Sequence, residues 1–114
     1  MSLNHPIPLV ALTSCPDDDC ATAIARALVT ERLAACVNRL SGVRSTYIWD
    51  GRLQDDAEVL LIIKTTQDQM SGIEAKLKEL HPYELPELVL LRVEGGSQPY
   101  LDWLCAAVGQ SSEK

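Results

Sequence analysis

The sequence predicts an α+β fold, in which a four-stranded antiparallel sheet carries two helices on one of its faces. Three observations lead there. Stretches with strand and helix periodicity alternate in the order β-α-β-β-α-β. An Asp50-Gly51 pair stands between two long extended stretches, as a tight hairpin requires. Pro82 and Pro86 then cut the second helical pattern off from the last strand. With right-handed crossovers this order closes as the ferredoxin-like arrangement, here with a long central hairpin and one extra C-terminal helix.

A chain of 114 residues is one domain of ordinary size. The domain is predicted over residues 9–108, after a flexible leader at 1–8 and before a flexible tail at 109–114. A hydrophobic content of 46% is enough for a core, and no apolar run is long enough for a membrane helix. The N-terminus lacks the charged-then-apolar pattern of a signal peptide, so a cytoplasmic protein with no membrane partner is expected. There Cys15, Cys20, Cys36 and Cys105 are read as reduced thiols. A net charge of −6 repels phosphate backbones, which argues against nucleic acid as a partner.

In chain order, Leu9–Thr13 is short and apolar on both faces, as in a buried central strand. Ser14-Cys15-Pro16-Asp17 reads as a turn. Asp17 is placed to cap a helix to about Arg32, with Asp18 and Asp19 in the first turn, where the helix dipole favours negative charge. Ala21, Ile24, Ala25 and Leu28 form its buried face. Ala34–Trp49 is the outgoing hairpin arm, broken at Gly42 and then alternating with Val43, Ser45, Tyr47 and Trp49 on one face. The return arm reaches Thr65 through Val59-Leu60-Leu61-Ile62-Ile63, apolar on both faces.

Thr66-Gln67-Asp68-Gln69 has the pattern of a capping box. The helix after it buries Met70, Ile73, Leu77 and Leu80, with Gly72 costing about 1 kcal/mol relative to alanine. Leu88–Glu94 is the last strand, Gly95-Gly96-Ser97 a turn, and Tyr100, Leu101, Leu104, Cys105 and Val108 line a final helix with Ser97 as a candidate cap.

The hairpin carries a quantitative expectation. Sixteen residues at about 3.4 Å each extend roughly 50 Å. A compact domain of this size has a radius of gyration of about 13 Å and is roughly 35 Å across. The hairpin must bend or project, and a projecting tip with Tyr47, Ile48 and Trp49 exposes apolar surface and strand edges. Burial of the tip against other copies of the chain is the expectation.

The chemistry-bearing residues gather in His81-Pro82-Tyr83-Glu84-Leu85-Pro86-Glu87, a stiff helix-to-strand connector where functional side chains can be held. No phosphate loop, dinucleotide fingerprint, H-E-x-x-H or C-x-x-C is present. For a metal, the soft donors are thiols and imidazoles. Cys15, beside a helix start, is the thiol whose pKa the dipole would lower. Cys20, Cys36 and Cys105 read as small buried hydrophobes. An enzyme reading would join Cys36 as nucleophile to His81 as base, oriented by Glu84 or Glu87. Lys64 is expected to pair with Glu84 or Glu87, and Trp49, Tyr83, Tyr100 and Trp103 to pack cores, interfaces or a pocket wall between subunits.

Five segments in order then resemble a known family: Leu33-Ala34-Ala35-Cys36-Val37-Asn38; Tyr47-x-Trp49-x-Gly51; Glu58 with Ile63-Lys64-Thr65; His81-Pro82-Tyr83-Glu84-x-Pro86-Glu87; and Tyr100-Leu101-x-Trp103. Together they are similar to the CutA divalent-cation tolerance proteins. The resemblance implies a small cytoplasmic homotrimer, similar in architecture to PII-type signalling proteins, with hairpins that wrap neighbouring subunits.

It also implies a non-enzymatic role in the response to metal ions, with no required cofactor and with copper or another divalent cation as a candidate ligand. Cys36, Trp49, Lys64, His81, Tyr83, Glu84, Glu87, Tyr100 and Trp103 fall on the family's signature positions, around clefts between subunits. His81 and Cys15 are the candidate metal ligands. Some relatives carry a second histidine and a first-strand cysteine where this chain has Leu80 and Thr13. Two further readings stand beside this one. A PII-like trimer would sense a small anionic or nucleotide-like ligand with the help of Lys64, and an enzyme would be centred on Cys36 or His81.

Overall fold

The computed structural model describes residues 6–109. Most of the expected leader and tail, at 1–5 and 110–114, lies outside the described residues. The fold is an antiparallel sheet of β1 (Pro8–Cys15), β2 (Cys36–Trp49), β3 (Arg52–Thr66) and β4 (Val89–Arg92) in the order β2-β3-β1-β4. The helices are α1 (Asp18–Thr30), α2 (Met70–Leu80) and α3 (Gln98–Ala107). This is the ferredoxin-like α+β fold with the extra C-terminal helix.

The first strand runs further than its apolar stretch, because the ladder with β3 continues through Ser14 opposite Leu60 and Cys15 opposite Val59. Asp17 caps α1 by accepting the Cys20 N–H at 2.8 Å. The expected capping box does not form. Thr66 makes no side-chain cap, and its hydroxyl instead bonds Asp68 over a 3₁₀ turn at Gln67–Gln69 that precedes α2. The Thr66 hydroxyl is turned to Asp68 and accepts no backbone N–H of the first turn, the bond such a box requires.

The two faces of the sheet have different fates. On one face Ala11, Cys15, Leu61 and Ile63 pack with Ile24 and Leu28 of α1 and Ile73 and Leu77 of α2, all essentially sealed from solvent. At about 1.5–3 kcal/mol for each large side chain, this face supplies most of the hydrophobic stabilisation. The alternate residues Val10, Leu12, Leu60 and Ile62 point the other way and are only half-buried. Beside them Leu40, Val89 and Leu91 are 52%, 48% and 48% exposed.

The hairpin is as long as its sequence required. Asp50 and Gly51 both take positive φ, 55° and 75°, at its tip. The described chain extends 52 Å in its longest direction against 28 and 22 Å in the others. Between Leu40 and Val43 one extra residue sits on β2, with Gly42 at φ 82°. This bulge reverses the parity of β2. Cys36, Asn38 and Leu40 share the open face below it, and Val43, Ser45, Tyr47 and Trp49 share the same face above it.

Candidate functional site

On the open face, at the base of the upper hairpin, lies a cavity of about 680 Å³. Ser14 comes from β1, Ser45, Thr46, Tyr47 and Trp49 from β2, Glu58 from β3, and Tyr83, Glu84, Leu85 and Glu87 from the connector. The connector is held over the sheet by a chain of polar contacts. Leu80 ends α2 and Pro82 forbids its continuation, so His81 turns extended, at φ −82° and ψ 132°. Its Nε2 lies 2.7 Å from the Ser14 carbonyl oxygen, and its Nδ1 accepts the Tyr83 N–H at 3.2 Å. With Nδ1 accepting, the ring hydrogen sits on Nε2 and is donated to Ser14. Further along, Ser14 Oγ donates to Glu87 Oε1 at 3.3 Å.

Tyr83 continues the chain. Its ring tilts against His81 with centroids 4.7 Å apart, and its hydroxyl donates to Glu58 Oε2 at 2.7 Å. Burial first, then this bond and the charge of Glu58, push the Tyr83 phenol well above its ordinary pKa, so it stays a donor. Glu58 is only 6% exposed, and no basic residue pairs with it among the described residues. Higher on the hairpin, Tyr47 Oη donates to Asp56 Oδ2 at 2.6 Å, and that bond raises the Tyr47 phenol as well.

The signature residues fall into two groups. Trp49, Tyr83, Glu84 and Glu87 line the cavity, with His81 directly behind. Cys36 and Lys64 oppose each other at the far end of the face, where Lys64 Nζ lies 5.9 Å from the Tyr100 ring centroid and Tyr100 stacks near Trp103. Lys64 is six residues from Glu58 along β3, roughly 20 Å. It therefore does not pair with Glu84 or Glu87 within the protomer. Nor does Cys36 meet His81, since β3 and part of the length of β1 lie between them. His81 is oriented by backbone groups of Ser14 and Tyr83 rather than by a carboxylate. A Cys36–His81 centre and a Lys64-assisted anion site in this cavity both lose their geometry.

The metal expectations meet similar obstacles in the protomer. Both ring nitrogens of His81 are engaged. Cys15 is fully buried on the helix-covered face, and burial, helped by nearby Cys20, pushes its thiol up to about 12, the opposite of the expected lowering. The helix dipole does not govern this thiol, because Cys15 belongs to the end of β1 and points into the core. Cys20, Cys36 and Cys105, expected to be the buried thiols, are intermediate in exposure. Among the described residues no three His, Cys, Asp or Glu side chains converge to hold one ion. The described residues of one chain thus do not fit a divalent cation.

The cavity also contains what the sequence reading of the site lacked: Glu58 as its buried charge, with Ser14, Ser45, Thr46 and Tyr47 on its walls. Glu58 stood among the resembling segments, but its role depends on a contact with Tyr83 across 25 positions.

A family model described as CutA1 divalent ion tolerance protein matches residues 9–107. The chain is 44% identical over 100 residues to the divalent-cation tolerance protein CutA of Pectobacterium atrosepticum, covering 88% of this chain and 91% of that protein. It is 46% identical over 95 residues to the protein of that name from Thermus thermophilus, covering 83% and 92%. Among solved structures, the divalent cation tolerance protein of Thermus thermophilus superposes with a TM-score of 0.88 at 44% identity, over 90% of this chain and 100% of that one. CutA1 from Oryza sativa does so at 0.87 and 36% identity, over 93% and 98%. No helix among the described residues is long and apolar enough to cross a membrane.

Proposed function

The chain belongs to the CutA1 divalent ion tolerance family, and from that premise we propose that it works as a cytoplasmic homotrimer whose cavity, closed over by sister subunits, is a cleft that receives a positively charged ligand. The observation that supports this most is Glu58, a carboxylate more than nine-tenths buried at the wall of a cavity on an otherwise uncovered apolar face. A buried charge without a counter-charge is costly, and a cation in the cleft offsets that cost.

Self-association follows from the open face together with the hairpin tip. Ile48 and Leu53, paired across the tip on its opposite face, are 71% and 74% exposed, and Trp49 and Trp103 about half so. An uncovered apolar surface of this extent is normally an interface. The group at the far end, Cys36, Lys64, Tyr100 and Trp103, joins the cleft only through a neighbouring subunit. We read the protein as a binding protein whose ligand connects it to cation tolerance, not as an enzyme.

Sedimentation velocity tests the assembly. Wild type is expected to sediment as one trimeric species down to micromolar concentration. The double variant Ile48→Asp, Leu53→Asp changes residues that contribute little to the protomer core and is expected to sediment as a folded monomer. Identical sedimentation of the two proteins would remove the tip from the interface.

A further inference from the structure

The walls of the cleft specify more than a positive charge. Its charged lining residues are Glu58, Glu84 and Glu87, with no Lys, Arg or His among the lining side chains. A single divalent ion needs several oxygen or nitrogen donors within about 2–2.6 Å of one point. Here the carboxylates do not converge in that way. They are spread around about 680 Å³, a volume fit for a small organic molecule rather than an ion.

The aromatic side chains of Tyr47, Trp49 and Tyr83 line the same cavity, together with the exposed Leu85. Tyr83 and Tyr47 both have their hydroxyls committed as donors, to Glu58 and Asp56, so what they offer a ligand is largely ring surface. Aromatic faces attract cations and also bury apolar groups. Glu58 Oε2 is taken by Tyr83, whereas Oε1 receives no hydrogen bond among the described residues. That oxygen is not a sealed orphan but reaches the cavity, where an N–H donor can bond it.

We propose that the cleft binds a protonated primary amine carrying an aromatic or aliphatic body, its ammonium donating to Glu58 and its body lying against Trp49 and Tyr47. Glu84 and Glu87 add to the negative potential at the entrance. The inference rests on the cavity being the working cleft, and it names the class of cation that cleft takes.

Isothermal titration calorimetry of the intact protein tests it, with benzylammonium, methylammonium, the neutral isostere benzyl alcohol, and Zn(II) as separate titrants. Benzylammonium is expected to bind and benzyl alcohol is not. Glu58→Gln keeps an acceptor for the Tyr83 hydroxyl and is expected to weaken benzylammonium by about tenfold or more, the loss of one charge-assisted hydrogen bond. Glu84→Gln, at an exposed position, is expected to weaken it several-fold without affecting the fold. Trp49→Leu is expected to weaken benzylammonium while leaving methylammonium unchanged. If benzylammonium gives no heat but Zn(II) binds in a manner abolished by Glu58→Gln, the amine assignment falls and the cation cleft stands. If none of the four titrants binds, both fall. Equal affinity for benzylammonium and benzyl alcohol would also overturn the assignment.

Discussion

The two faces of β3 are built from nearly the same residues and meet opposite fates. Val59, Leu61 and Ile63 are sealed beneath α1 and α2, while Leu60 and Ile62, one position over, are left half-exposed. The first face is an ordinary core. The second carries apolar residues without a cover of their own and, at its upper end, the buried carboxylate and the hydrogen-bonded connector. Apolar patterning therefore reports that a face is to be covered, and the supply of helices decides whether the chain itself can cover it. The polar site lies on the face left over.

Substitutions that act on one face and not the other sharpen this contrast. The largest effect is expected on the sealed face. Leu61→Ala should cost about 2–5 kcal/mol in chemical denaturation, since its surroundings in the core can collapse only partly. A loss below about 1 kcal/mol would mean that the helix-covered face is not the main core. On the open face, Tyr83→Phe removes the hydroxyl that Glu58 Oε2 accepts and leaves a buried charge less satisfied. A loss of about 1–3 kcal/mol is expected by the same measurement. An unchanged midpoint would mean that the bond does not hold the connector down.

A smaller effect appears as a pH slope. Folded Cys15 keeps its proton up to about 12, whereas in the unfolded chain the thiol ionises near 9.0. Between these values the unfolded chain binds fewer protons than the folded one. Stability is therefore complete below about pH 9 and falls as pH rises towards 12. Tyr83, also raised, adds a loss of the same sign at higher pH. Thermal melts across that range should show a shallower decline for Cys15→Ala than for wild type, and parallel curves would count against the buried thiol.

The smallest effect belongs to Gly72, where an added Cβ would come 2.7 Å from Leu33 Cδ2. The helix gains about 1 kcal/mol from alanine and loses a comparable amount in moving the end of a rotatable side chain. Gly72→Ala should leave the melting temperature nearly unchanged. A clear rise would show that Leu33 yields freely.

Most local signals were readable in the sequence, the capping box at Thr66 excepted. Asp50-Gly51 makes its turn, Asp17 caps its helix, Gly42 marks the bulge, and the length of the arms sets the molecule's longest dimension. The site was readable only in part. His81, Tyr83, Glu84 and Glu87 lie together because a proline-stiffened connector holds them. Glu58 was not identified as a site residue, and Lys64, Cys36, Tyr100 and Trp103 were grouped with residues far from them. Which residues of β2 and β3 share a place is fixed by strand register and by the parity change at the bulge, and one extra residue there moves every side chain above it to the other face. The misreading of Cys15 has the same origin, since its register opposite Val59 puts the sulfur in the core rather than at the helix end.

Multi-angle light scattering on the purified protein at micromolar concentration addresses the open face most directly. A molar mass three times that of the chain, unchanged on dilution, is the predicted result. A stable species with the mass of a single chain would contradict it, because the apolar face and the hairpin tip would then stand uncovered in water.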